Sequence, residues 1–397
     1  MRPACARSAS LCICEDIDMD FALSEEQQAI FDMARDLGTA EIAPHARAWE
    51  TAGTIPRTLW PKLAALGLGG LCVGPDHGGS GLTRLDATLV FEGLAMACPS
   101  VAAFLSIHNM CAAMVDRFGS PALRARILPE ACRMDRVLSY CLTEPGSGSD
   151  AAALRTRAER DGTGWRLTGS KAFISGGGYS DAYIVMARSG AAGPRGISAF
   201  VVEADAPGLS FGPPEDKMGW RAQPTCAVHL DAVRVEAGDL LGEEGGGFAQ
   251  AMAGLDGGRL NIAATALGGA QAAFDATLAY MAEREAFGQA LDRFQALQFR
   301  LAEMETRLQS ARTFLRQAAW LLDRNAPDAT KHCAMAKLSV TDTAFDVANQ
   351  CLQLHGGYGY LADYGIEKIL RDLRVHQILE GTNEIMRLIV ARSLVAA

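Results

Sequence analysis

The feature that most constrains this chain is a change in its hydrophobic period. From Ser24 to about Arg133 apolar residues recur three or four apart, as in Ile30, Phe31, Ala34 and Leu37. From about Val137 to Gly246 they gather into short runs: Trp165–Thr168, Ala182–Met186, Ile197–Val202 and Cys226–Leu230. Glycine, proline or aspartate bounds each run. From Phe248 the helical spacing returns, and Leu301, Met304, Leu308, Ala311, Leu315, Ala318 and Leu322 mark one face of a long helix. Spacing by three or four lines one side of a helix, whereas short β-branched runs suit strands. The order helices, strands, helices predicts an α+β fold whose segments pack separately. The predicted boundaries are a leader over 1–18, a helical domain over 19–136, a β-domain over 137–246 and a helical bundle over 247–397.

Local signals agree. Ser24-Glu25-Glu26-Gln27 has the form of a capping box at a helix start. With 397 residues, 49% of them apolar, the chain has enough hydrophobic material for two or three domains. A net charge of −9 and the lack of any basic block argue against nucleic acid or an anionic membrane as a general partner. No apolar run approaches the ~20 residues of a membrane span. The eleven cysteines are scattered and odd in number. Cys72, Cys98, Cys111, Cys141, Cys226, Cys333 and Cys351 sit in apolar stretches and read as buried small side chains in a reducing compartment. Cys12-Ile13-Cys14 lacks zinc spacing, so no metal is expected. Residues 1–18 carry no long apolar core of a secretory signal; they read as a disordered leader, with Met19 opening the folded part.

The chain has neither a GxGxxG turn after an early strand nor a GxxxxGK[ST] loop, which excludes Rossmann and P-loop nucleotide sites. Four other places could carry chemistry. Tyr140-Cys-Leu-Thr-Glu-Pro-Gly-Ser-Gly-Ser-Asp150 sits where helices give way to strands, and its glycines and hydroxyls would let a ligand approach exposed N–H groups; a plain connection is the alternative. Gly169-Ser-Lys-Ala-Phe-Ile-Ser175 carries an aromatic and a hydroxyl on a strand, with core packing the alternative for Phe173. His355-Gly-Gly-Tyr-Gly-Tyr360 follows a helix end and could cap it or admit a flat ligand. Lastly, Glu380 stands between Ile378-Leu379 and Gly381. Apolar neighbours raise the proton affinity of a carboxylate and would suit a general base; a solvated turn is the bland alternative.

Together, Tyr140–Asp150, Gly169–Ser175, Arg284–Gly288, Gln353–Tyr360 and Glu380–Arg387 stand in the order and spacing of acyl-CoA dehydrogenases, a family that the chain resembles from Met19 to its end. Ser106–Cys111, Cys333–Lys337, Leu361–Tyr364 and Val375–Asn383 are similar to the members acting on short branched acyl groups. The resemblance implies a helical N-terminal domain, a β-barrel-like middle domain and a C-terminal four-helix bundle, assembled as a homotetramer. It also implies FAD as cofactor. Tyr140, Cys141, Leu142, Thr143, Glu144, Pro145, Gly146, Ser147, Gly148 and Ser149 would line the flavin, flanked by Phe173, Ile174 and Ser175. Arg284, Phe294, Gln295, Gln353, Leu354, His355, Gly356 and Gly357 would reach its pyrophosphate and adenosine, and Thr382, Asn383 and Glu384 would complete the site. Ser149, Asp256, Gly257, Gly258, Arg259, Gly381 and Arg392 match substrate positions.

By the same resemblance Glu380 matches the catalytic base, taking the α-proton of the thioester while flavin N5 accepts the β-hydride. A branch of the family places its base where this chain has Gly258, which can remove no proton. The implied reaction is isobutyryl-CoA to methacrylyl-CoA in valine breakdown, with 2-methylbutyryl- or butyryl-CoA as alternatives and an acyl-CoA oxidase further off. A non-enzymatic flavoprotein that binds nucleic acid is the remaining class, which the acidic balance and Glu380 oppose. Electron-transferring flavoprotein would be the electron acceptor. The compartment would be the cytoplasm in a bacterium or the mitochondrial matrix in a eukaryote. Phe294 departs from the family pattern, whose members often carry a polar residue there.

Overall fold

The computed structural model describes residues 22–395. The leader expected over 1–18, with Cys12 and Cys14, lies outside the described residues. Helix α1 (Glu25–Leu37) starts at the expected capping box: the Gln27 N–H donates to Ser24 Oγ, and the Ser24 N–H donates to the Gln27 side chain. Short helices α2 (Ala46–Ala52) and α3 (Trp60–Ala64) lead into α4 (Arg84–Ala97), α5 (Pro99–Phe118) and α6 (Pro121–Cys132). The break between α4 and α5 falls at Cys98, which is extended, because the residue before a proline is driven out of the helical region.

The middle of the chain forms one eight-stranded sheet of β1 (Leu138–Cys141), β2 (Arg157–Asp161), β3 (Gly164–Ser175), β4 (Ala182–Arg188), β5 (Ile197–Glu203), β6 (Leu209–Phe211), β7 (Thr225–Val235) and β8 (Leu240–Leu241). The strand order is β6-β7-β3-β2-β4-β5-β8, with β1 parallel to β4. Trp165 on β3 and Phe200 on β5 meet with ring centroids 5.2 Å apart although two strands lie between them. Strands in a flat sheet are spaced about 4.8 Å apart, so this contact requires the sheet to curl around a common core. The order remains open, with β6 and β8 at its ends; the domain is barrel-like in curvature without a ladder joining those two strands among the described residues. Side chains of β4 alternate: Tyr183, Val185 and Ala187 face the core inside the curl, while Ala182, Ile184 and Met186 pack on α5 and α6. A strand covered on both faces needs the continuous apolar run that its sequence has.

The last third comprises α7 (Gly247–Glu283), a small hairpin of β9 (Glu285–Ala286) and β10 (Gln289–Ala290), α8 (Gln295–Asp323), α9 (Ala329–Leu354), α10 (Ile366–Arg374) and α11 (Asn383–Val395). The predicted stripe on α8 is buried from Met304 to Ala318, with Leu301 and Leu322 partly covered at its ends. The two helical segments do not pack separately, contrary to expectation. Phe91, Leu94 and Leu105 share one core with Leu260, Leu267, Leu308 and Val340. The reason lies in α7, which is buried almost continuously from Asp256 to Ala270 and so is covered on all sides by other helices. At its crossing with α4, a Cβ on Gly268 would collide with the Glu92 carbonyl. Cysteines 98, 111, 132, 141, 226, 333 and 351 are buried and unpaired; Cys72 is only half-buried. Among the described residues no helix is long and apolar enough to cross a membrane.

Candidate active site

Between α10 and α11 the chain makes a short helical turn, Val375–Gln377, and then reverses. Glu380 has φ 55° and Gly381 has φ 89°, two consecutive left-handed residues. For a residue with a Cβ this conformation costs roughly 1–2 kcal/mol. The turn is held from both sides. Thr382 Oγ1 accepts from the Ile385 N–H at 3.2 Å and caps α11. Lys337 Nζ on α9 donates to the Gly381 carbonyl and to Asn383 Oδ1, each at 2.8 Å, and Asn383 donates in turn to Thr341 and Asp342.

The strained residue projects its carboxylate into a dry place. Glu380 Oε2 is buried and has no hydrogen-bond partner among the described residues. Burial pushes its pKa up to about 7, against the opposing positive charges of Arg259 and Lys337. The two apolar neighbours in sequence are covered unequally: Ile378 is 50% exposed, while Leu379 packs on the core cluster of Ala103, Trp220 and Ile262. Further cover comes from α7, where the bare Cα of Gly258 faces the carboxylate, with Met110 of α5 close to the same glycine. Other groups nearby are neutral: burial raises the proton affinity of both Cys111 and the unpartnered Tyr140 hydroxyl, and Glu380 adds to this.

Asp256, the other carboxylate matched to this region, is fully engaged. It accepts from Arg259 Nη1 at 2.6 Å and from Thr330 Oγ1 at 2.7 Å. Arg259 Nε also approaches the Glu380 carbonyl, at 3.4 Å. Gly257 lies against the Arg84 guanidinium, and Gly258 against Glu380 itself. Arg392 stands apart, exposed on the outer end of α11.

The loop after β1 is built from its own side chains. Glu144 and Ser147 exchange both backbone hydrogen bonds at 3.0 Å, and Ser147 Oγ donates to the Asp150 carbonyl at 2.6 Å. The Glu144 carboxylate accepts from the Arg155 N–H, the Thr156 N–H and Lys171 Nζ. Burial opposes its charge, but the Lys171 charge and these donors outweigh burial and hold its pKa below the usual carboxylate value. The Cys141 and Ile174 side chains enter the β-core. Pro145, Gly146, Gly148 and Ser149 are exposed, Tyr140, Leu142 and Thr143 half-buried. Contacts of Cys141, Glu144, Ser147 or Ile174 with a ligand would therefore run through the backbone. Phe173 is not a core residue: it is 68% exposed, with φ 58°, at an irregularity in the β3–β7 ladder. Ser175 presents its carbonyl to Ser139 Oγ.

Arg284, Gln353, Leu354, His355, Gly356 and Gly357 come together around a cavity of about 420 Å³, shared with Tyr280, Leu291, Tyr358 and Leu361. Tyr280 stacks on His355 at 4.3 Å, and the Arg284 guanidinium lies 5.4 Å from the Tyr358 ring centroid. A Cβ at Gly356 or Gly357 would meet nothing within 4 Å, so the main chain there fronts open space. Phe294 packs edge-on against the exposed Phe287 of the hairpin at 6.4 Å, with Gln295 exposed beside it. Thr382 and Asn383 serve the turn, and Glu384 is exposed. Lys337, Lys171 and Tyr358 stand inside stretches read from the sequence but have no role of their own in that reading, and Tyr280 stands outside them. For Lys337 a signal existed: it falls on the apolar face of α9 marked by Cys333, Val340 and Ala344.

Three family models match in order: the acyl-CoA dehydrogenase N-terminal domain over residues 24–135, the middle domain over 139–233 and the C-terminal domain over 245–395. The chain is 50% identical over 378 residues to the mitochondrial isobutyryl-CoA dehydrogenase of Bos taurus, covering 95% of this chain and 91% of that protein. Its structure is similar to butyryl-CoA dehydrogenase from Megasphaera elsdenii, with TM-score 0.92, 36% identity and coverage of 95% and 100% of the two chains. It is also similar to the FAD complex of PigA, with TM-score 0.91, 29% identity and coverage of 95% and 99%.

Proposed function

The chain belongs to the acyl-CoA dehydrogenase family, and on that premise we propose that it converts isobutyryl-CoA to methacrylyl-CoA with Glu380 as the catalytic base. The observation that carries this reading is the buried, unpartnered Glu380 Oε2 with its pKa raised to about 7. The α-proton of a thioester is weakly acidic. A base for it must be dry, close and strong enough to accept it, and must still be ionised near neutral pH. Glu380 meets these demands through burial beside Gly258 and Met110. Its backbone N–H, next to Gly381, would hold the thioester oxygen as negative charge develops there. Asp256 is engaged with Arg259 and Thr330 and does not compete for the proton.

The cofactor is FAD, which when bound supplies the acceptor for the electron pair that leaves the β-carbon with its hydrogen. Two features of this chain fit such a group. The cavity around Gly356 and Gly357 offers bare main chain beside the Arg284 cation and the Tyr280 and Tyr358 rings, as a nucleotide with its phosphates requires. The exposed residues of the 140–149 loop, with Phe173, offer a polar and aromatic edge to a flat ring system. Thr382, Asn383 and Glu384 would close the site, and Phe294 and Gln295 would reach it across a subunit contact in a homotetramer. Ser149, Asp256, Gly257, Gly258, Arg259, Gly381 and Arg392 would face the acyl-CoA. Electron-transferring flavoprotein would take the electrons onward.

The branched substrate is favoured by the 50% identity to isobutyryl-CoA dehydrogenase. Butyryl-CoA is the second reading, favoured by the likeness to butyryl-CoA dehydrogenase at 36% identity. One methylene in an apolar pocket is worth ~1–3 kcal/mol, so discrimination between them is a matter of degree. Anaerobic titration of the purified yellow protein with isobutyryl-CoA should bleach the flavin. The kcat/KM for isobutyryl-CoA should exceed those for butyryl- and 2-methylbutyryl-CoA; a reversed order moves the assignment to the other acyl chain.

A further inference from the structure

Lys337 is among the most completely buried large side chains of the protein, with 0% of its surface exposed. A buried ammonium normally sits against a carboxylate. The two acceptors of this one are instead neutral oxygens, the Gly381 carbonyl and Asn383 Oδ1. Both belong to the turn that carries Glu380. Three residues of α9 at helical spacing grip that turn: Lys337 holds its centre, Thr341 takes a hydrogen bond from Asn383, and Asp342 accepts from Gln377 on one side and Asn383 on the other.

We propose that Lys337 is a positioning residue for the base: it pins the left-handed Glu380–Gly381 turn to α9 and supplies a buried positive charge that favours the ionised form of the Glu380 carboxylate. This rests on the reading of Glu380 as base. The groups facing Glu380 from each packed element are few. Cys111 of α5 and Tyr140 of β1 are neutral, because burial raises the pKa of both. Arg259 of α7 is a cation committed to Asp256 at 2.6 Å. Asp342 of α9 and Glu384 of α11 act on Lys337 along with Glu380. Among the described residues Lys337 is left as the cation here with no carboxylate hydrogen-bonded to it. Burial draws its pKa down to about 7, and Glu380 pulls the other way. Each group therefore favours the charged form of the other.

The test uses the FAD-loaded protein and two variants. Lys337→Gln keeps an N–H donor for the Gly381 carbonyl and removes the charge; Lys337→Met removes both. The Glu380 carboxylate is titrated without substrate by infrared difference against Glu380→Gln, and the rate of anaerobic flavin bleaching is followed with pH. In Lys337→Gln both the infrared midpoint and the acid limb of the rate should move up by about one pH unit, so that the rate falls roughly tenfold on the acid side and recovers in alkali. Lys337→Met should show the same shift and a lower plateau rate, because the turn is no longer pinned. Midpoints unmoved in Lys337→Gln overturn the proposal, and a uniform rate loss with an unmoved limb would assign Lys337 to packing alone. If Lys337→Met fails to fold, Lys337→Gln decides. Should no acyl-CoA bleach the wild-type protein, the assignment of the reaction fails while the infrared midpoint still reports on Lys337.

Discussion

The carboxylate of Glu380 and the bare Cα of Gly258 occupy adjoining space: a methyl group on Gly258 would lie 2.6 Å from Glu380 Oε2 and 3.2 Å from Met110 Sδ. One helix thus leaves out a side chain so that a turn more than a hundred residues later can place an acid there. Gly258→Ala should push the carboxylate aside, and a misplacement of ~1 Å is enough to lower a rate by about 10²-fold. FAD content and thermal stability should change little, since the added group meets a movable side chain. Steady-state kinetics of the variant within threefold of wild type would mean that Glu380 need not occupy this position.

Glu380→Gln keeps the shape of the side chain and removes its basicity. It should retain FAD, seen in the visible spectrum, and lose nearly all dehydrogenation; more than a few per cent of the wild-type rate would refute the role. In the wild type, kcat/KM should rise with pH through about 7, because only the ionised acid accepts a proton and burial holds its pKa there. An acid limb near the ordinary carboxylate value of about 4 would show that water reaches the group in solution.

The hydrophobic period alone made the helix–strand–helix order legible, because helices and strands bury side chains at different intervals. The shared core was not legible. Nothing in the spacing of α7 says that α4 will lie on it at Gly268, since the close approach depends on a carbonyl supplied by another segment. The site shows the same division. Glu380 could be picked out by its neighbours in sequence, yet Gly258, which leaves room for its carboxylate, and Met110 beside that glycine come from two other helices. Lys171 resembles an ordinary surface lysine in a sequence, and Lys337 differs from one only by its place on the apolar face of α9; the fold shows that both are buried.

Lys171 and Glu144 form a buried ion pair at 2.9 Å under the loop of residues 140–150. Removing one partner of such a pair leaves an uncompensated charge and typically costs about 3–5 kcal/mol. Lys171→Met should therefore lower the melting temperature markedly and weaken FAD retention together, because the loop loses the anchor of its turn. Glu144→Gln combined with Lys171→Met should recover part of the stability. Calorimetry on the single and double variants checks this, and additive losses would show that the two side chains do not act as a pair.

Two buried histidines give the fold a pH limit of its own. His108 Nδ1 accepts from the Leu138 N–H at 3.0 Å while its Nε2 donates toward the Gly69 and Ala131 carbonyls. His376 Nε2 accepts from the Trp220 indole at 3.2 Å while its Nδ1 donates to the Ile262 carbonyl. Each ring nitrogen is already used, so a second proton would set a donor against a donor. Burial lowers the pKa to about 4 for His108 and about 3 for His376. Unfolded, both would titrate near 6.5. Between that value and the folded pKa the unfolded chain binds protons that the folded one does not, so stability is full above pH ~6.5 and falls as the pH drops toward 4. For each histidine the loss by pH 4 is up to about 3 kcal/mol. Urea unfolding across this range should show a steep slope that flattens in His108→Asn and in His376→Asn, whatever their stability at pH 8. A slope equal to that of the wild type in both variants would place the acid sensitivity on carboxylates instead.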